Sequence, residues 1–237
     1  MITYSNENAD ALLDSLNDNI GIPEFKNRLN EVYLSSDFHI LKDFIQRNDD
    51  GSKTLLPYHP PRYFVERQLR IIGMCSRIKN HPFIYLGDLT ESEFEEDSPY
   101  IKEVTEFYKN ILKTDDKSPR ILVRGNNDCL SKEAYYKMGF DYVVSKLELG
   151  PLIFTHKPTN VDDKHINLHG HLHESTNYYD ISPRNHINVY WETNNGPQTI
   201  ETFLKWFKNG KYDNNEIKFS EEFKLCDQIL DNGVNYE

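Results

Sequence analysis

The segment INLHGHLH, from Ile166 to His173, decides how the rest of the sequence is interpreted. Its apolar start leads into Gly170, and two histidines, His171 and His173, follow two positions apart. Side chains two residues apart in an extended strand point the same way, so both imidazoles can face one point beyond the strand end. Imidazole is the commonest protein metal ligand near neutral pH. Alone, the segment fits either a metal site or an exposed polar strand edge.

Composition and charge limit the possible classes of protein. The chain has 237 residues, 38% of them hydrophobic and 13% aromatic, which is enough to form the core of one α/β domain and argues against disorder. Its formal net charge of −11 opposes binding to long nucleic acids, whose phosphates attract Lys and Arg. We therefore expect a small substrate, and if it is a phosphate ester, bound cations must supply the positive charge.

The cysteines and the hydropathy pattern predict the cellular setting. Cys75, Cys129 and Cys226 are far apart and show no C-x-x-C spacing, which predicts neither a disulfide framework nor a thiolate zinc site. The polar start of the chain does not resemble a signal peptide, and there is no apolar run of about 18 residues. We expect a reduced, soluble, cytoplasmic protein with no membrane partner.

Short apolar runs typical of strands alternate with helical patterns in the first half of the chain. Strands are predicted at 31–36, 83–86 and 120–123, and helices at 62–78 and 100–112. This alternation favours a parallel sheet. In the second half, strands at 142–145, 152–155, 166–169 and 187–191 are separated only by turns and predict an antiparallel or mixed sheet. A last helix is predicted at 199–207.

The sequence predicts one central domain, 31–207, between two polar segments. Residues 1–30 form an N-terminal extension, and residues 208–237 form a C-terminal tail with a possible helix near 219–230. Residues 40–60 contain prolines and lack periodicity, which predicts a long loop.

A polar cluster follows each of five apolar strands. The clusters contain Asp37 and His39, then Asp88, then Asn126 and Asp128, then His156, and finally His171 and His173. Because the carboxyl ends of parallel strands line one crevice in open α/β sheets, the five clusters can converge. Taken singly, the second and third clusters also fit strand-exit or helix-capping chemistry, and His156 fits a packed histidine.

The ordered set SDFH, LGDL, RGNNDC, THKP and HGHLH resembles the signature of the calcineurin-like metallophosphoesterases, in particular their compact bacterial and phage-type members. The resemblance implies an α/β fold in which two mixed β-sheets pack as a sandwich flanked by helices, in αββα layers. It also implies a metal-dependent phosphoric ester hydrolase that acts on a small phosphate ester.

The same resemblance implies two divalent ions bridged by Asp88. Asp37, His39 and His173 would complete one site, and Asn126, His156 and His171 the other. Imidazole, carboxylate and amide donors without thiolate independently suit Mn²⁺, our first expectation, and also Fe²⁺, Zn²⁺ or Ni²⁺. A hydroxide bridging the two ions would attack phosphorus in line.

Asn127 departs from the family pattern, in which many members carry a histidine here, oriented by the acidic residue that follows. We take Asn127 and Asp128 as the catalytic candidates. An amide cannot deliver a proton near neutral pH, which favours a phosphodiesterase acting on diesters or activated esters. The alternatives are a non-catalytic metal-binding interaction scaffold, or a phosphomonoesterase or nuclease of the same fold.

Three further residues are candidates for contact with the substrate: His59, Arg62 and His165. The two histidines are also candidates for the missing acid, although a histidine in such a position is more often a solvated loop residue. His169 fits either a supporting position behind the ligands or a buried structural role. The sequence leaves the physiological ester, the native metals and the oligomeric state open.

Overall fold

The structure is a computed structural model that describes residues 29–40, 45–47, 53–55, 62–90, 96, 101–112, 118–173, 175 and 185–209. At 45–47, 53–55, 62–65 and 103 it describes the backbone only. Three of our predictions therefore fall on residues outside the described ones: the N-terminal extension up to residue 28, the site role of His59, and the helix in the C-terminal tail.

The strands and helices of the described part follow in chain order. The strands are β1 (Tyr33–Ser35), β2 (Ile45–Arg47), β3 (Lys53–Leu55), β4 (Phe83–Tyr85), β5 (Arg120–Val123), β6 (Tyr142–Val144), β7 (Leu147–Leu149), β8 (Leu152–Phe154), β9 (Ile166–His169), β10 (His186–Asn188) and β11 (Gln198–Thr199). The helices are α1 (Arg62–Arg77), α2 (Ile101–Leu112), α3 (Lys132–Lys137) and α4 (Ile200–Lys208).

Two mixed sheets form the framework. In the first, ordered β11-β1-β4-β5-β6, strands β1, β4, β5 and β6 run parallel and β11 pairs antiparallel with β1. In the second, ordered β10-β9-β8-β7, the first three strands are parallel and β7 is antiparallel to β8. The expected α/β class of two mixed sheets with flanking helices is confirmed.

The alternation of side chains along the strands produces two cores. One face of the first sheet, with Leu34 and Ile84, packs against Leu168 and Ile187 of the second sheet. The other face, with Phe83 and Tyr85, packs against α1, α2 and α3. Strands of both sheets contribute apolar residues to a buried face. This packing fixes the position of one sheet against the other, and it therefore fixes the positions of the loops at the strand ends.

Three short elements differ from the sequence prediction. Residues 40–60, predicted as a loop, contain the antiparallel hairpin of β2 and β3. Strands β7 and β11 were not predicted either, because two or three residues are too few to show a period. No helix in the described part of the chain is long and apolar enough to cross a membrane.

Arg120 ties the first sheet to the helices at the strand starts, opposite the carboxyl ends. It is 2% exposed, and its guanidinium donates to the carbonyl oxygens of Ile78, Lys79, His81 and Leu112. We expect Arg120→Met to lower the free energy of unfolding by about 3 kcal/mol, because buried carbonyls lose their donors. Urea denaturation followed by circular dichroism measures the change. Exposed Arg77 provides the control, since Arg77→Met should alter stability by less than about 0.5 kcal/mol.

Candidate metal centre

The five polar clusters meet where β1, β4, β5, β8 and β9 end. Backbone bonds first join the loops after β1 and β4: Leu86 N donates to Ser35 O at 2.8 Å, and Asp37 N donates to Gly87 O at 2.9 Å. His39 N then donates to Asp88 O at 3.0 Å. These bonds place the first two clusters side by side.

Two contacts bring the second sheet onto this pair of loops. His171 N donates to both carboxylate oxygens of Asp37, each at 3.1 Å. Trp191 Nε1 donates to Asp37 O at 3.1 Å. Within the second sheet, Gly170 N donates to His156 O at 2.9 Å, which joins the loops after β9 and β8. Clusters from both sheets therefore share one site.

The first group of possible metal ligands consists of Asp37, His39 and His173. The Nε2 atoms of the two histidines lie 3.1 Å apart. Asp37 Oδ1 lies 3.9 Å from Nε2 of His39 and 3.7 Å from Nε2 of His173. One carboxylate oxygen and two imidazole nitrogens, all possible metal ligands, thus lie close together.

The second group consists of Asp88, His156 and His171. His156 Nε2 lies 3.4 Å from Asp88 Oδ1 and 3.2 Å from His171 Nδ1. Asn126 Oδ1 lies 3.1 Å from the same His156 nitrogen. The structure therefore brings the amide of Asn126 to this group.

Asp88 lies between the two groups and contacts both. Its Oδ1 faces His156, and its Oδ2 lies 3.7 Å from His39 Nε2. Burial alone would raise the pKa of this carboxyl, but the hydrogen bond and charge of His156 and the backbone N–H of Asn127 lower it to about 2. Asp88 is therefore an ionised carboxylate with one oxygen directed at each group.

The environment of His156 fits a divalent cation. Its Nδ1 lies 2.9 Å from the carbonyl oxygen of Leu86, which can only accept, so in the neutral ring Nδ1 carries the proton. Nε2 then presents a lone pair to a carboxylate oxygen, an amide oxygen and another imidazole. Atoms that bind one ion at about 2.1 Å lie about 3 Å apart, close to the separations found here. A cation satisfies all four atoms at once.

The carboxylates and His156 perturb one another's proton affinity. Burial raises the pKa of Asp37 to about 6, although the charges of His156 and His39 oppose the rise. Burial lowers the pKa of His156, but its hydrogen bond to Asp88 and the charges of both carboxylates outweigh this and raise it overall. The site is thus strongly attractive to positive charge, whether a proton or a metal ion.

Asp128 accepts hydrogen bonds from the backbone next to the ligands. It is 2% exposed, and its oxygens accept hydrogen bonds from the backbone N–H groups of Asp88 (2.8 Å), Leu89 (2.9 Å), Thr90 (3.3 Å) and Gly125 (2.8 Å). Asn127 also serves Asp88: its backbone N donates to Oδ1 at 2.9 Å and its amide Nδ2 to Oδ2 at 2.7 Å. Both catalytic candidates therefore hold Asp88 in this structure.

The backbone at the ligands is left-handed. In the part of the chain that the structure describes, seven non-glycine residues have positive φ, and five of them are candidate ligands: Asp37, His39, Asp88, His171 and His173. This region costs an L residue about 1 kcal/mol or more, so surrounding bonds must hold it.

Two predicted residues lie outside the two ligand groups. His165 precedes β9, at the opposite end of a strand roughly 13 Å long from His171, and pairs with Asp162 at 2.6 Å. His169, the last residue of β9, has the buried position that was one of its two predicted roles. It is buried beside His186, with ring centroids 5.7 Å apart, and burial lowers its pKa to about 3. The side chain of Arg62 is not among those described.

Sequence reasoning missed the residues that support the ligands. Tyr190 stacks on His173, with ring centroids 4.7 Å apart, and donates a hydrogen bond to Glu192. The run INVYW predicted only a strand, and no spacing signal marks these contacts. They become visible only when the end of β10 is placed beside the first sheet.

Comparison with known proteins agrees with this geometry. A family model described as calcineurin-like phosphoesterase matches residues 31–224. No curated protein matches. Among solved structures, the Pseudomonas putida nuclease MPE is similar, with 19% identity and a TM-score of 0.40 over 61% of this chain and 62% of the nuclease. The chain thus matches about three fifths of that nuclease's length.

Gly170 allows the two sheets to approach at the site. A Cβ built there would lie 2.5 Å from Ser36 Oγ and 2.6 Å from Ser36 Cβ, and it would also press on Asp37 Oδ2. We expect Gly170→Ala to lower the free energy of unfolding by about 1–3 kcal/mol, because the overlap forces backbone apart. Thermal and urea unfolding measure the loss.

The matched control is Gly73→Ala on α1, where an added Cβ meets nothing within 4 Å. This substitution should raise stability by up to about 1 kcal/mol. Equal stabilities of the two variants would contradict the close approach at Gly170.

Proposed function

The chain belongs to the calcineurin-like phosphoesterase family, and from this membership and the site geometry we propose that it is a dinuclear-metal-dependent phosphoric ester hydrolase. The observation that carries the proposal is Asp88, whose two oxygens face the two ligand groups at 3.4 and 3.7 Å. A carboxylate in this position can be shared by two ions, as two-metal hydrolysis requires.

The proposed ligand sets follow the two groups. One ion would be held by Asp37, His39 and His173. The other would be held by Asn126, His156 and His171. Asp88 belongs to both sets. The mixed nitrogen and oxygen donors support Mn²⁺ as our first choice, with Fe²⁺, Zn²⁺ and Ni²⁺ as alternatives.

The residues of the chain have distinct roles in the proposed reaction. Bound divalent ions would neutralise phosphoryl oxygens and lower the pKa of the attacking water. Asp128 fixes the backbone at Asp88, and Asn127 fixes the orientation of its carboxylate. The carbonyl of Leu86 holds the proton of His156 at Nδ1, which leaves Nε2 as the ligand. We therefore propose Asp128 as a positioning residue.

The substrate class follows from what the site can donate. Asn127 cannot protonate a leaving group, and its amide is already directed at Asp88. This supports phosphodiesters or activated esters over alkyl monoesters. The expectation that long nucleic acids are not substrates receives no support from the comparisons, so nucleic acids belong among the diesters to be tested. His59 and Arg62 stay predictions for substrate contact, and a cytoplasmic location stays a prediction as well.

The first test uses bis(p-nitrophenyl) phosphate with Mn²⁺. We expect metal-dependent hydrolysis that falls by more than about 10²-fold in Asp88→Asn and His171→Ala, because loss of a ligand exceeds the loss of an outer-shell partner. Asp162→Asn, which removes an exposed carboxylate outside the site, should keep its rate. Initial rates and elemental analysis of the same samples give the result. A protein that retains two ions but turns over no ester with Mn²⁺, Fe²⁺, Ni²⁺ or Zn²⁺ would support the scaffold alternative.

The second test varies the leaving group. We expect diesters of alkyl alcohols to react more slowly than p-nitrophenyl diesters. Because no positioned acid protonates the alkyl leaving group, the ratio of the two rates should be about 10²–10⁴-fold larger than in an enzyme that has such an acid. A series of aryl and alkyl diesters at constant metal concentration measures the dependence. A shallow dependence that becomes steep in His59→Ala would instead identify His59 as the acid.

A further inference from the structure

Arg67 on α1 contacts the backbone of the first ligand group. Its Nη1 donates to the carbonyl oxygen of His39 at 3.1 Å, and its Nε donates to Glu192 Oε1 at 3.5 Å. The guanidinium also lies over the ring of Trp191, 5.4 Å from the centroid. One side chain therefore connects a helix, the loop after β1 and the loop after β10.

Glu192 extends this connection to the second histidine of the group. Its other oxygen, Oε2, accepts a hydrogen bond from Tyr190 at 2.8 Å. The ring of Tyr190 in turn stacks against His173 at 4.7 Å between centroids. Tyr190 is 5% exposed, so its ring position is fixed by packing.

We infer that Arg67, Glu192 and Tyr190, here named the brace, position His39 and His173 for one of the two proposed ions. The inference rests on the proposed function. Both histidines have left-handed backbone, with φ of 42° and 51°, and such a backbone persists only where its surroundings hold it. The brace holds one histidine by its carbonyl and the other by its ring, which sets the separation of their Nε2 atoms.

The brace serves one group and not the other. Among the proposed ligands, the brace contacts His39 by a hydrogen bond and His173 by a ring contact. The orientation of His156 depends instead on the carbonyl of Leu86 and on Asn126. Loss of the brace should therefore weaken binding of one ion and leave the other unchanged.

The direction in which Arg67→Ala changes the metal affinity distinguishes a positioning role of Arg67 from an effect of its charge. Arg67 is a cation close to a site for divalent cations, so its charge alone opposes metal binding. If charge were its only influence, Arg67→Ala would tighten binding. If it positions the ligands, Arg67→Ala weakens binding despite removing a repulsion.

Arg70 offers a matched control for this test. It lies on the same helix and over the same Trp191 ring, 5.1 Å from the centroid. It makes no hydrogen bond to His39 or Glu192, both of which the structure describes. Arg70→Ala thus removes an equal charge and an equal ring contact while the brace stays intact.

The experiment titrates Mn²⁺ into full-length, chelator-stripped protein and follows binding by calorimetry and by the electron paramagnetic resonance of free Mn²⁺. We expect two binding events in the wild type. Arg67→Ala should weaken one of them by about 10–100-fold, the effect typical of losing an outer-shell partner. The affected event should be the one that His173→Ala abolishes, and Arg70→Ala should leave both unchanged or slightly tighter.

Tyr190→Phe keeps the ring and removes only the bond to Glu192, so it covers the case in which Arg67→Ala does not fold. It should weaken the same event by a smaller factor. Affinities within about twofold of wild type in both brace variants, or equal weakening of both events, would overturn the inference. A wild-type protein that binds fewer than two ions would instead overturn the proposed function.

Discussion

The burial of three carboxylates beside one another is the constraint on which the site depends. Asp37, Asp88 and Asp128 are each at most 2% exposed, and an ionised carboxylate without water requires hydrogen-bond donors or positive charge. Asp128 obtains four backbone N–H donors, whereas Asp37 and Asp88 obtain fewer and face imidazoles instead. The strand ends, the turns and the histidines are arranged so that the remaining charge can be met by cations.

Asp88 and Asp128 show how the same side chain takes two roles in one site. Asp128 is enclosed by backbone N–H groups, and burial raises its pKa although those hydrogen bonds oppose the rise. Asp88 contacts imidazoles of both groups and has a lowered pKa. Because Asp128 bonds the N–H of Asp88 itself and of the next two residues, it fixes the turn that directs Asp88 outward. Asp128, which would contact no ion in the proposed arrangement, therefore positions the proposed metal ligand Asp88.

The sequence allowed the fold class, the family and the set of converging residues to be predicted, since apolar strands followed by polar clusters have a readable pattern. It did not predict the support for Asp88, because the partners of Asp128 are backbone atoms that every residue possesses. It did not predict the contact of Arg67 with Glu192 either, since 125 positions separate these residues.

Three candidate ligand histidines have a left-handed backbone conformation, and hydrogen bonds to their backbone hold them in it. A left-handed backbone costs an L residue about 1 kcal/mol or more, and His39, His171 and His173 all adopt it. A hydrogen bond to its own backbone holds each of them: His39 N donates to Asp88 O, His171 N donates to the Asp37 carboxylate, and His173 O accepts from Nδ2 of Asn188. Folding therefore fixes the backbone turns that carry these three imidazoles, and the interactions that stabilise the turns also set the positions of the proposed metal ligands.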